Sequence, residues 1–213
     1  MVKVTLIAYN TPIYGDRNPR RLPVLAAKVS TGKLLQKGFD YYLSENYPLE
    51  KASEWIKAAA RGFPSILEHV VFTFLIEDIS RVTSHQLVRH RIASYTQESQ
   101  RYSVVEEDYV TPESIKNLGE GHEIYRKTVE EAFRTYRKLL ERGIPYEDAR
   151  YVLPQAVKTR ILFTVNLREL LHIASLRLDK KAQWEIREVA RLLIKEATKV
   201  IPELKEIVAC KQT

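Results

Sequence analysis

The order of strand-like and helix-like segments constrains the fold of this chain more than any other feature of its sequence. Alternating or continuously apolar residues predict strands at 2–9, 70–79 and 159–166. Helical periodicity predicts helices at 53–61, 80–91, 121–142, 145–153, 167–176 and 182–200. Segments 10–22 and 92–102 are predicted to be loops. Because these elements come in mixed order without strand–helix–strand regularity, we predict an α+β fold with a mixed or antiparallel sheet and long amphipathic helices.

The length and the cysteine content favour one self-sufficient domain. A chain of 213 residues can bury a large core, so we expect a single domain spanning 1–213. The longest strongly apolar run, 70–76, is far shorter than the ~20 residues of a membrane helix, so we expect no membrane partner. Cys210 is the only cysteine, which excludes an internal disulfide and a cysteine-rich zinc site. We therefore expect no metal and a reducing, cytoplasmic setting.

The charge balance points to anionic partners. Lys and Arg number 34 and Asp and Glu number 27, which gives a formal net charge of +7. A basic chain attracts nucleic acids, nucleotides and phosphorylated cofactors alike. Composition alone does not choose among these classes.

The densest group of polar donors follows the predicted helix 80–91. Arg89, His90 and Arg91 lead into the segment 92–101, which ends at Arg101 and contains Glu98 as its only acidic residue. Guanidinium groups bind phosphate through a planar fork of N–H donors, and serine hydroxyls add further donors. The alternative is a solvated helix end, since cations are favourable near a helix C-terminus. The poor supply of acidic partners favours the anion-binding interpretation.

Arginines also recur among the apolar residues of the segment 150–187. They are Arg150, Arg160, Arg168, Arg177 and Arg187. An arginine within an apolar segment either extends to water or pairs with an anion in a cleft, and we expect about two of the five to be functional. The segment 65–69, just before a predicted strand, contains Glu68 and His69, for which mutual pairing in a loop is the simpler interpretation.

Several sequence blocks together resemble one enzyme family. Arg89, His90 and Arg91 are followed by seven residues and then Ser99, with Gln86 and Arg101 close by. Further matching blocks, in chain order, are 25–30, 68–74, 149–154, 164–168, 176–177 and 182–186. Over about residues 24–200 the chain resembles the flavin-dependent thymidylate synthases. The resemblance implies methylation of dUMP to dTMP by a homotetramer whose active sites are shared between subunits. It also implies methylenetetrahydrofolate as carbon donor, FAD as hydride carrier and NADPH as reductant.

The resemblance also implies roles for individual residues. Arg177 matches the catalytic arginine that engages the uracil ring; the alternative is an ion pair with Asp179 or Glu185. FAD-binding positions are matched by Ser30, Ser65, Arg89, His90, Arg91, Gln97, Asn166, Arg168 and His172. The dUMP-binding positions are matched by Gln86, Arg89, Gln97, Glu98, Ser99, Gln100, Arg101, Arg150 and Arg177.

The chain departs from the family pattern in a few places. Phe63 stands where many members have a histidine that meets the flavin, His172 where asparagine is common, and Gln97 where some have glutamate. Residues 1–24 match nothing in the family and receive no role. Cys210 and Ser99 are the conceivable nucleophiles, and neither has a base matched to it. We therefore expect hydride transfer without an enzyme–uracil bond.

Two other functions compete with this one. A basic nucleic-acid-binding module could use arginines beside Tyr95 and Tyr102 to follow a phosphate backbone and stack bases. It has no recognisable binding motif, so we expect no nucleic-acid partner. A flavoprotein that has lost methyl transfer is the second alternative, and the uracil-facing Arg177 and Gln86 argue against it.

Overall fold

A four-stranded antiparallel sheet organises the fold. The computed structural model describes residues 1–210. The strands are β1 (Lys3–Tyr9), β2 (Val71–Ser80), β3 (Ala93–Gln97) and β4 (Lys158–Asn166). They lie in the order β1-β2-β4-β3, and each neighbouring pair is antiparallel. The predicted α+β class is confirmed, and the sheet is antiparallel rather than mixed.

Ten helices accompany the sheet within residues 1–210. In chain order they are α1 (Arg21–Ser30), α2 (Leu34–Leu43), α3 (Leu49–Gly62), α4 (Arg81–Leu87), α5 (Glu113–Lys116), α6 (Glu120–Glu141), α7 (Tyr146–Ala149), α8 (Leu167–Arg177), α9 (Trp184–Thr198) and α10 (Leu204–Ala209). Two 3₁₀ turns, Pro64–His69 and Arg150–Val152, connect them. No helix in this described part of the chain is long and apolar enough to cross a membrane.

One face of the sheet forms the main core. Along β4, Ile161, Phe163 and Val165 are buried while Leu162 between them is exposed. This alternation follows from the two-residue period of a strand. The buried face packs against the apolar sides of α8 and α9, and the aromatic rings of Phe74 and Phe163 stack across β2 and β4. The opposite face is not covered by these helices, since Leu162 is 42% exposed.

The long C-terminal helices agree with their predictions. Helices α6, α8 and α9 match the predicted segments 121–142, 167–176 and 182–200 to within about two residues. Gly143 has φ of 79°, and its N–H donates to the carbonyl of Leu140, while Ile144 N–H donates to that of Leu139. Gly143 therefore ends α6 in the left-handed conformation that glycine adopts without strain.

Two predictions around the Arg-His-Arg segment are wrong. The helix predicted over 80–91 ends at Leu87, and the loop predicted over 92–102 contains strand β3. The Tyr95 hydroxyl donates to the carbonyls of Leu87 (3.0 Å) and His90 (2.6 Å), which satisfies the helix end and fixes the turn after it. The polar residues Ser94 and Thr96 of β3 lie on its exposed side, which is why the segment reads as a loop in the sequence.

Helices in the N-terminal region were not predicted. The loop prediction for 10–22 overlaps the start of α1, and neither α1 nor α2 had a predicted counterpart. Arg21 is 1% exposed; its Nε donates to Asp16 (3.1 Å), and its guanidinium also bonds the Tyr47 carbonyl. A Cβ at Gly15 would lie 2.5 Å from the Leu43 carbonyl oxygen, so this turn needs glycine. The buried ion pair with Asp16 gives Arg21 a structural role.

Candidate active site

A buried carboxylate fixes the start of helix α4. Glu185, 1% exposed at the start of α9, accepts hydrogen bonds from the Ser80 N–H (2.7 Å), the Ser80 hydroxyl (2.6 Å) and the Thr83 hydroxyl (2.7 Å). Gln183 caps α9 itself, because its side-chain oxygen accepts from the N–H groups of Glu185 and Ile186 at 3.0 Å. Glu185 thus holds the start of α4, the helix that carries Gln86, against the start of α9.

The turn after α4 separates the three residues of the Arg-His-Arg segment. His90 is 4% exposed and points into the protein, whereas Arg89 and Arg91 are exposed on either side of it. Burial raises the pKa of Tyr95, so its hydroxyl stays a donor to the His90 carbonyl at working pH. The turn therefore presents two guanidinium groups to solvent and holds an imidazole inside.

The imidazole of His90 receives a hydrogen bond from Arg177. Arg177 lies at the end of α8, and its Nε donates to His90 Nε2 at 3.0 Å, while a terminal nitrogen donates to the Gln86 carbonyl at 3.4 Å. Within residues 1–210, no ion pair joins Arg177 to Asp179 or Glu185. The ion-pair alternative for Arg177 is therefore wrong. The half-buried guanidinium is held between the end of α4 and the turn that follows.

His90 is a neutral acceptor in this arrangement. Burial, followed by the charges of Arg177 and His172, lowers the pKa of His90 to about 4. Since Nε2 accepts from Arg177, the ring proton of the neutral form resides on Nδ1. Nδ1 lies 3.5 Å from a carboxylate oxygen of Glu169, which is 6% exposed. Glu169, in the first turn of α8, and Arg177, in its last turn, thus contact opposite nitrogens of the His90 ring.

His90, Glu169 and His172 have a spacing compatible with a metal ion. One ligand atom from each lies within 4.8 Å of the others, and the two imidazole rings are 5.9 Å apart. The hydrogen bond from Arg177 argues against metal binding here. It occupies Nε2 of His90, places the proton on Nδ1, and brings a permanent cation to the same ring.

The predicted flavin positions on the outer surface come from α1, α8 and the 3₁₀ turn before β2. Asn166 caps α8 by accepting from the Glu169 N–H at 2.8 Å, and exposed Arg168 pairs with Glu68. Ser65 lies exposed in the neighbouring turn, and His172 is exposed one helical turn further along α8. Ser30 is exposed at the end of α1, where its hydroxyl donates to the Ala27 carbonyl at 3.0 Å.

The predicted nucleotide-binding segment leaves the sheet at the end of β3. The Gln97 amide donates to the hydroxyls of Ser84 (3.0 Å) and Thr159 (3.2 Å), so Gln97 is tied to α4 and β4. Beyond it, Ser99 accepts from the Arg101 N–H at 3.1 Å. Glu98 is exposed and Gln100 half-buried; the Glu98 carbonyl accepts from Arg81 at 2.7 Å.

Arg101 and Arg150 meet at one acidic residue. Arg101 Nε donates to the Glu147 carboxylate at 2.8 Å, and Arg150 Nε donates to the Glu147 backbone carbonyl at 3.0 Å. The two arginines lie 49 positions apart in the chain, and the short helix α7 brings them together. Both guanidinium groups have donors left to contact an anion.

Sequence reasoning missed Glu169, and it named Glu185 and Tyr95 only for other roles, an ion pair with Arg177 and base stacking. A signal for Glu169 exists: residues eight positions apart share a helix face, which places Glu169 on the side of α8 that holds Arg177. Glu185 lies two residues after the Gln183 cap, in the first turn of α9, and a charged residue at the start of an apolar helical stripe is a weak signal. Phe63, the departure from the family pattern, is 42% exposed and packs edge-on against Trp55.

This fold is similar to that of a nucleotide-methylating enzyme. The crystal structure of a UMP/dUMP methylase, PolB from Streptomyces cacaoi bound with 5-Br dUMP, superposes with a TM-score of 0.81. The two proteins are 26% identical, and the match covers 99% of this chain and 95% of that one.

Sequence comparison identifies the family. The family model described as thymidylate synthase complementing protein matches residues 5–203, so the prediction that residues 1–24 match nothing in the family is wrong for residues 5–24. Flavin-dependent thymidylate synthases of Pyrococcus furiosus and Pyrococcus abyssi are each 48% identical over 93% of this chain and 80% of their own length. That of Sulfurisphaera tokodaii is 44% identical over 95% and 76%. The chain belongs to the family of flavin-dependent thymidylate synthases.

Proposed function

We propose that this protein converts dUMP to dTMP, with methylenetetrahydrofolate as the carbon donor, FAD as the hydride carrier and NADPH as the reductant. The observation that carries the proposal is the Arg177 guanidinium held by neutral His90 and by the Gln86 carbonyl. Family membership supplies the reaction class, and the contacts around Arg177 supply a fixed cation suited to a uracil ring. The single cysteine fits a cytoplasmic enzyme.

The donor set fits an anionic flavin. Arg89 and Arg91 are exposed beside the turn that Tyr95 fixes, and Arg168 lies at the first turn of α8, where a helix favours negative charge. Ser30, Ser65, Gln97, Asn166 and His172 add hydroxyl, amide and imidazole groups. When bound, the flavin supplies the hydride. These side chains would hold its phosphates and orient its ring.

The proposed task of Arg177 is electrostatic. Uracil accepts hydride at C6 only if the negative charge that builds on the ring is stabilised. A guanidinium remains charged at any working pH, and its planar shape matches a heterocycle. Because His90 and Gln86 fix its orientation before substrate arrives, little reorganisation is needed at the moment of reaction.

We assign the 5′-phosphate of dUMP to the segment 97–101 and to Arg150. Arg101 and Arg150 already approach each other at Glu147, and Ser99 and Gln100 offer short donors beside them. Gln86 and Arg89 would contact the nucleotide from α4 and from the turn after it. Ser99 acts here as a hydrogen-bond donor and not as a nucleophile.

We propose a homotetramer of single-domain subunits with active sites shared between subunits. Apolar side chains are exposed on the sheet face that α8 and α9 leave open: Ile7 is 54% exposed and Leu162 is 42% exposed. Ile92 and Leu176, beside the Arg-His-Arg segment and Arg177, are 66% and 49% exposed. Exposed apolar residues next to a site support completion of that site by another copy.

The direct test is an assay of the purified protein. A yellow protein should form dTMP when dUMP, methylenetetrahydrofolate and NADPH are all present, and omission of any one should abolish the product. Flavin-free protein that makes no dTMP and binds single-stranded nucleic acid with a steep salt dependence would favour the nucleic-acid-binding alternative.

A further inference from the structure

We propose that Glu169 is a positioning residue, which aims Arg177 by holding the ring of His90 in one tautomer. The inference rests on the proposed function, in which Arg177 contacts the nucleotide. Glu169 touches neither nucleotide nor flavin in this account and acts through His90.

The geometry places Glu169 on the opposite side of the imidazole from Arg177. Arg177 Nε donates to Nε2 of His90 at 3.0 Å, and a Glu169 carboxylate oxygen lies 3.5 Å from Nδ1. The second distance is longer than an ordinary hydrogen bond, so Glu169 acts on the Nδ1–H of His90 as a nearby buried charge. Both partners of the ring come from α8, so one rigid element sets both contacts.

The surroundings of Glu169 make a purely structural role a poor explanation. Glu169 is 6% exposed, and burial raises its pKa against the opposing charges of His172 and Arg168. Arg168 is directed outward, where it pairs with Glu68. Inside the protein the Glu169 carboxylate lies beside the His90 ring, with His172 within 4.8 Å and Tyr95 also close by. A buried carboxylate is costly unless an N–H donor faces it, and we assign that part to the Nδ1–H of His90, 3.5 Å away.

Removal of the carboxylate should change which ring nitrogen carries the proton. Without an acceptor near Nδ1, the tautomer that accepts from Arg177 leaves a buried N–H without a partner, and protonation on Nε2 competes with it. Nε2–H then faces the N–H of Arg177, and two donors repel each other. The guanidinium would lose the contact that holds it and leave its position against the Gln86 carbonyl.

The tautomer of His90 can be measured in the wild-type holoenzyme. Nitrogen-15 NMR of protein labelled at its five histidines, with His90→Asn to assign the signal, should show a neutral ring protonated on Nδ1 at pH 7. A ring protonated on Nε2, or on both nitrogens, would overturn the proposal. This measurement needs no activity, so it separates the proposal from the proposed function.

Two substitutions test the link to turnover. Glu169→Gln keeps an oxygen acceptor for Nδ1–H and should retain kcat within about threefold. Glu169→Ala should move the His90 proton to Nε2 and lower kcat at least tenfold with flavin content unchanged. Glu188→Gln, which alters an exposed glutamate paired with Arg191, is the control and should match wild type.

Three outcomes contradict the proposal: wild-type kcat in Glu169→Ala, an unchanged His90 tautomer in that variant, or an equal loss of kcat in both Glu169 variants. If Glu169→Ala does not fold, a wild-type ring protonated on Nε2, or a tenfold loss of kcat in Glu169→Gln, still overturns the proposal. Absence of dTMP formation by wild type itself would count against the proposed function instead.

Discussion

Arg177 donates a hydrogen bond from Nε to Nε2 of His90 at 3.0 Å, across a separation of 87 residues in the chain. The contact requires a neutral imidazole, and the pKa of about 4 for His90 agrees with it. It turns the central residue of the Arg-His-Arg segment inward, so that its two neighbouring arginines alone face solvent. The segment thus combines an inner support for Arg177 with two guanidinium groups that face solvent.

The lowered pKa of His90 predicts a pH dependence of stability. The folded pKa is about 4 and the ordinary histidine value is 6.5, so unfolding takes up a proton between these values. The stabilisation is therefore complete above pH 6.5 and is lost as the pH falls to 4, by up to about 3 kcal/mol. Thermal unfolding of wild type and of His90→Asn, measured from pH 4 to 7, should differ in slope. Parallel curves would show that His90 titrates normally.

Arg177→Ala should separate folding from chemistry. The variant should keep its thermal stability and its flavin, because Arg177 is half-buried at the end of α8 and, within residues 1–210, bonds only His90 and Gln86. Formation of dTMP should fall by about two orders of magnitude or more, since a charge at the reacting ring is lost. Arg187→Ala, at a solvent-facing site bonded to the Lys180 carbonyl, is the control. Near-normal dTMP formation by Arg177→Ala at saturating dUMP would refute the assignment.

Arg91→Ala should yield largely colourless protein that folds. A lost charge-assisted contact to an anionic flavin weakens binding by about ten- to hundredfold. The absorbance of bound flavin in the purified variant measures this. Arg142→Ala removes an exposed guanidinium at the end of α6 and should leave the flavin content unchanged. Stoichiometric flavin in Arg91→Ala at low free FAD would remove Arg91 from the flavin site.

Glu185→Ala should destabilise the fold. Three buried donors of Ser80 and Thr83 lose their acceptor, at a cost of about 3 kcal/mol. Tm should fall by roughly 10 °C at matched protein concentration. Glu188→Ala alters the same helix three residues further on, where the carboxylate pairs with exposed Arg191, and should change Tm by less than about 2 °C. Equal shifts in the two variants would contradict the role given to Glu185.

Periodicity predicted the parts of the fold that one element determines alone. Strands β2 and β4 and helices α6 and α9 lie where expected. Each of them carries its own apolar pattern, so its position does not depend on the rest of the chain. Strand β3 was not predicted because its outer residues Ser94 and Thr96 are polar. The early end of α4 was not predicted because it depends on the Tyr95 hydroxyl, which lies in the next element and donates to the Leu87 carbonyl.

The candidate site was reached from motifs, and its internal contacts were not. The resemblance supplied Arg177 and His90 as separate positions with separate roles. Their hydrogen bond depends on how α8 packs against the turn after α4, which no local pattern encodes. Glu169 stayed hidden for the same reason: a glutamate in the first turn of a helix is ordinary, and only the packed structure places it beside an imidazole.

The central claim is that a flavin on this protein passes its hydride to dUMP in the step that completes dTMP. The most direct measurement is an anaerobic single turnover, in which the protein is reduced by NADPH, freed of excess reductant and mixed with dUMP and methylenetetrahydrofolate. Flavin absorbance and quenched product are followed together. We predict one dTMP for each flavin reoxidised, with matching time courses. Reoxidation without dTMP, or dTMP formed while the flavin stays reduced, would contradict the account.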